Sequence, residues 1–168
     1  MKKHFYITGI SYLLLLAAIL SFPSCKHGKQ QLSSADSLEV TNSVTQLAAA
    51  ISRDLAAKGP SSWLDHFENS PQFFMASDGQ LSFHDYQSAK LFIQDTLIKN
   101  INKITLRWSN MRIDPLTTHI AVIGSNFHEG ITFASGQTLP FDGYFTGTAD
   151  LTPDGWKLRN AHWSIKKP

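Results

Sequence analysis

The chain has 168 residues, with 15 Lys and Arg against 13 Asp and Glu, a high aromatic share of 11% and a single cysteine. That size suits one domain with its own core, and one cysteine excludes an intramolecular disulfide. Lys2 and Lys3 lie at the extreme N-terminus; without them 13 positive charges face 13 negative ones, so no basic stripe is left to suggest a nucleic-acid partner.

The first residues fall into three zones: the basic pair Lys2 and Lys3, an apolar run from about Ile10 to Leu20, and small residues around Cys25. This is the pattern of a secretory signal, and the apolar run is short for a membrane span, which needs about 20 residues. Ser24 before Cys25, with a polar stretch straight after, resembles the bacterial lipobox, whose cysteine receives a diacylglycerol. The resemblance implies a signal peptide at 1–24, lipidation of Cys25, a lipid anchor in a membrane and a place in the cell envelope. The other reading is a secreted protein with a free thiol. Residues 25–37 are small and polar and predict a flexible tether. Residues 38–168 predict the folded domain.

Val44, Leu47, Ile51 and Leu55 recur at helical spacing, and Gly59-Pro60 ends that helix. Ser61 or Ser62 caps a short second helix carrying Trp63, Leu64 and Phe67. Phe73 to Met75 predict a short strand ending at the turn Asp78-Gly79. Ser82 with Asp85 fits a capping box that opens a third helix, with Tyr86, Ala89, Ile93, Leu97 and Ile101 along one stripe. Four long strands follow, over about 103–114, 119–132, 138–151 and 156–166. Their short connections favour an antiparallel meander.

This order of elements, with Asp154-Gly155-Trp156 opening a last strand that contains His162-Trp163-Ser164, resembles the nuclear transport factor 2-like superfamily and its SnoaL-like and ketosteroid-isomerase-like members. The resemblance covers roughly residues 40–166. It implies an α+β fold in which about three N-terminal helices pack on a strongly bent antiparallel sheet, forming a cone that often binds a small molecule.

Strand alternation groups the candidate site residues. Trp156, Leu158, Asn160, His162 and Ser164 share a face, as do Asp142 and Tyr144, Asn126 and His128, and Trp108 with Asn110. Lys157 and Arg159 on the other face turn the first set inward. The expected ligand-binding interior is Trp108, Asn126, His128 and Asn160, with Tyr144 and His162, under a lid of Trp63 and Phe67. His162 is the expected general acid or base, with Asp142 or Tyr144 as its partner. Glu129 should face away from His128. A bulge would invert the alternation beyond it. Phe141, Phe145 and Trp163 are expected outside, as the surface of a homodimer. The histidines are too scattered for a metal site, and no cofactor motif appears.

Three functions fit: an envelope lipoprotein whose cone binds a small, partly apolar molecule; an isomerase, dehydratase or cyclase of the SnoaL-like kind; or an interaction module whose cone is filled by its own side chains.

Overall fold

A computed structural model describes residues 32–167. The expected signal peptide, Cys25 and most of the expected tether lie outside the described residues.

Helix α1 spans Ser34–Lys58. Ser33 caps it, its Oγ accepting from the Asp36 amide, so residues 34–37, expected in the tether, form its first turn. Val44, Leu47, Ile51 and Leu55 are buried as their spacing predicts, and Gly59 closes the helix at φ 79°, a conformation open to glycine. A 3₁₀ turn, Pro60–Ser62, leads into α2, Trp63–His66. Strands β1 (Phe74–Ser77) and β2 (Gln80–Phe83) form a hairpin across Asp78-Gly79. Ser82 is therefore not a helix cap: its hydroxyl lies 2.6 Å from that of Ser77 across the hairpin. Asp85 caps the next helix instead, in a capping box with Ser88.

That helix runs as α3 (Tyr86–Phe92), a π turn (Ile93–Leu97) and a last helical turn, α4 (Ile98–Asn100). The stripe Ala89, Ile93, Leu97 repeats every four residues, which outruns a 3.6-residue turn. The wider π turn takes up the excess and keeps Ile93 and Leu97 on the same cavity.

Four long strands complete the chain: β3 (Ile101–Pro115), β4 (Ile120–Phe133), β5 (Thr138–Thr152) and β6 (Gly155–Ile165). The sheet order is β2-β1-β6-β5-β4-β3. Every pair is antiparallel except β1 and β6, which run parallel, so the antiparallel expectation holds for the meander and the added hairpin joins it in parallel.

Of the four register shifts in the sheet, two interrupt long strands away from their ends. In β3 the register breaks between Ser109 and Arg112, where Asn110 adopts φ 52°. In β6, Leu158 and Asn160 pair with Ala149 and Thr148, leaving Arg159 without a partner. The bulged strand bends and its alternation flips. Glycines let the inner face pack closely: a Cβ at Gly143 would sit 2.6 Å from the Phe127 ring, and one at Gly147 would sit 2.8 Å from the Phe145 ring.

The bulge at Arg159 decides which residues of β6 face the core. Leu158 before it and Ala161 after it are both buried, and Trp163 packs with them. Asn160 and His162 turn outward, with His162 exposed. No break separates β4 from β5, and there burial of large apolar side chains sets the facing. Phe127 and Phe145 go inside; Asn126, Asp142 and Tyr144 are exposed, and His128 is half-exposed on the same side. Phe141, Phe145 and Trp163, expected on an outer dimer surface, are instead part of the core or packed against it.

Candidate functional site

Inside the bend lies a cavity of about 200 Å³. It is not filled by the protein's own side chains, as the interaction-module reading required. Trp63 and Phe67 from α2 form one wall, Phe83 from β2 and Phe92 from α3 another, and Trp163 from β6 part of a third. Trp63 stacks on Phe67 with ring centroids 5.5 Å apart and meets Trp163 edge to face at 5.7 Å. Phe83 and Phe92 lie 5.3 Å apart.

One ionisable side chain enters this apolar space. Glu129 of β4 faces inward with Phe127 and Ile131, and its cross-strand neighbours are Leu106 and Phe141. No ion pair among the described residues includes it. Burial alone pushes its carboxyl up to about 7, because a charge in an apolar surround is poorly solvated. At neutral pH it exists as both acid and carboxylate, able to donate or to accept a proton. Ser77 is the other polar residue of the wall, and its hydroxyl is engaged with Ser82.

The expected site residues divide into three groups. Trp63 and Phe67, expected as a lid, line one wall of the cavity. Trp108 faces inward as expected but serves the core: its Nε1 donates to the Ala48 carbonyl at 3.0 Å, and it packs on Phe145 and Trp163. Asn126, His128, Asp142 and Tyr144 do come together, as their alternation predicts, but around an open groove on the outer face. There His128 Nδ1 and Asp142 Oδ1 are 2.8 Å apart, with side chains 41% and 64% exposed.

The last two lie elsewhere on that outer face. Asn160 has a structural task, its Oδ1 accepting from the Thr148 amide where the bulge interrupts the ladder. His162 pairs between Thr146 and Ala76 and is exposed. The residue that sequence reasoning passed over is Glu129, although a signal for it existed. It stands in phase with Phe127, Ile131 and Phe133, so the face that takes those rings inward takes the carboxyl with them.

No protein-family model matches the chain, and no curated protein matches it in sequence. Solved structures do. A nuclear transport factor 2-like superfamily protein from Salmonella enterica serovar Typhimurium superposes with a TM-score of 0.66 at 18% identity, over 78% of this chain and 94% of that one. The fold is the nuclear transport factor 2-like cone. A candidate scytalone dehydratase from Novosphingobium aromaticivorans is similar at TM-score 0.69 and 12% identity, over 80% of this chain and 89% of that one. A hexachlorocyclohexane dehydrochlorinase from Novosphingobium barchaimii matches at 0.63 and 9%, over 80% and 92%. At these identities the likeness is one of fold.

Proposed function

We propose that the protein is a cell-envelope lipoprotein, anchored through a lipid on Cys25, whose cone binds a small, largely apolar molecule against Glu129. The cavity carries the second part: a half-open apolar space with one unpaired carboxyl is the arrangement that selects a ligand by shape and orients it by a single polar contact. The test is a thermal-shift screen of the purified protein against small apolar compounds, repeated with Glu129→Gln. A ligand at a hundred times its dissociation constant adds about 2.7 kcal/mol of stability, a midpoint shift of a few degrees. Hits that weaken in Glu129→Gln and persist in His162→Ala support the cone; hits lost only in His162→Ala would move the site to the outer face. The anchor rests on the first 25 residues alone. Metabolic labelling with a radioactive fatty acid should mark the wild type and not Cys25→Ala, and an unlabelled wild type would remove the anchor.

A second reading is a proton-transfer enzyme, favoured by a carboxyl that titrates near neutrality and by the elimination chemistry named for two proteins of similar fold. In it Glu129, rather than His162 or Asp142, takes a proton from a carbon next to a leaving group or a carbonyl. Turnover of such a substrate that falls about a hundredfold or more in Glu129→Gln would favour this reading. Turnover unchanged in that variant would end it.

A further inference from the structure

We propose that the occupant of the cone is an organic cation, a small apolar amine or quaternary ammonium compound. Its charge lies between Glu129 and the aromatic walls, and its hydrocarbon fills the rest of the cavity. This ligand class presupposes that the cone is a ligand site and adds what kind of molecule it selects.

The first observation is an unanswered charge. Six carboxylates of the described chain (Asp54, Asp65, Asp85, Asp114, Asp142 and Asp150) have a Lys, Arg or His nitrogen within 4.0 Å. These pairs are largely at the surface, where they matter little. Glu129, in an apolar wall, has none, and no Lys, Arg or His among the described residues lines its cavity. An anionic ligand would meet a carboxylate with nothing to offset it. A neutral ligand leaves the carboxylate to be discharged by a proton. A cation is the one class that neutralises it directly, and a buried ion needs such a partner.

The second observation is the composition of the walls. Trp63 and Trp163 meet at an interplanar angle of 81°, forming a corner, and Phe67 stacks on Trp63. Phe83 and Phe92 supply rings from β2 and α3. The electron-rich faces of such rings attract ammonium groups, most strongly where water is excluded. A carboxylate lining the same apolar cavity as two tryptophan rings meets both halves of an alkylammonium ion, the charge and the carbon around it.

The third observation concerns competing hydrogen bonds. The Ser77 hydroxyl is bonded to Ser82, so the site offers few partners to a hydroxyl-rich ligand. In the empty cone a proton on Glu129 takes the place of the cation, consistent with the raised titration of that carboxyl. Binding a permanent cation displaces the proton. Among the described residues the walls from α2, β1, β2, α3, the π turn, β3, β4 and β6 bring no other titratable group to the cavity, so this exchange is the protonation change expected in it.

The test is calorimetric titration of the purified protein with benzylamine and with benzyl alcohol, close in shape and different in charge, at pH 8 and pH 6. Benzylammonium should bind at least tenfold more tightly than the alcohol at pH 8 and lose about tenfold between pH 8 and pH 6. The preference should vanish in Glu129→Gln. Repeating the pH 6 titration in two buffers of different ionisation enthalpy reads the displaced proton in the wild type, with no reliance on a variant. Equal binding of amine and alcohol would keep the cone as a ligand site and overturn the cationic class. So would amine binding that ignores pH. No binding of either compound at millimolar concentration would overturn the ligand site with it.

Discussion

The two faces of strands β4 and β5 carry alternate residues of the same stretch of chain, and each bears an ionisable group in a different state. On the outer face Asp142 has a histidine 2.8 Å away and water around both. Solvent already stabilises that carboxylate, so the pair adds little. On the inner face Glu129 is half-buried in an apolar wall with no charged partner among the described residues, and its carboxyl rises to about 7. A visible ion pair marks where charge is easily tolerated, whereas an isolated carboxyl in an apolar wall marks where it is not.

Breaking the inner face should show this most strongly. Phe145 is 1% exposed and its ring lies 4.8 Å from Trp163 and 5.2 Å from Trp108. Phe145→Ala should destabilise by about 3–5 kcal/mol in denaturant unfolding. Its neighbour Tyr144, 45% exposed on the other face, should lose no more than about 1 kcal/mol on the same change. Similar losses at the two positions would contradict the assigned facing.

Glu129 should leave the next largest mark, in the pH profile of stability. Its carboxyl titrates near 4.5 unfolded and at about 7 folded, so the folded state holds the proton more tightly. Stability from this group is complete below pH 4.5 and is lost as pH rises through 7, by up to about 3 kcal/mol. Urea unfolding across that window should show the fall in the wild type and a flat contribution in Glu129→Gln. A wild-type profile that rises from pH 5 to pH 8 would contradict the isolated carboxyl.

Smaller effects probe the bulge and the outer groove. Asn160→Ala leaves the Thr148 amide without its side-chain acceptor and should cost about 1 kcal/mol. Asp142→Asn breaks only the exposed pair with His128 and should stay within about 0.5 kcal/mol. Neither it nor His162→Ala should change ligand binding in the cone. A loss of binding in Asp142→Asn would transfer the site to the outer groove.

Much of the architecture was legible in the chain. The stripe of α1, the hairpin turn Asp78-Gly79 and the four long strands follow from spacing and turn chemistry, and the observed strand ends fall close to the predicted ones. The β2 strand was hidden by Ser82, whose spacing to Asp85 imitates a helix cap while its hydroxyl bonds across the hairpin. For the site, alternation grouped Asn126 with His128 and Asp142 with Tyr144 correctly, and it opposed Glu129 to His128. Polar chemistry then drew the wrong set inward.

The sequence by itself determined most of the elements, their order and, where no bulge intervenes, which side chains share a face, because these depend on local periodicity and turn residues. Only the tertiary structure decided which face of each strand closes over the cavity. A bulge at one residue, Arg159, reverses every side chain beyond it, and the competition to bury Phe127 and Phe145 is settled by neighbours far away in the chain. That choice carried Glu129 into the cone and left His162 outside it.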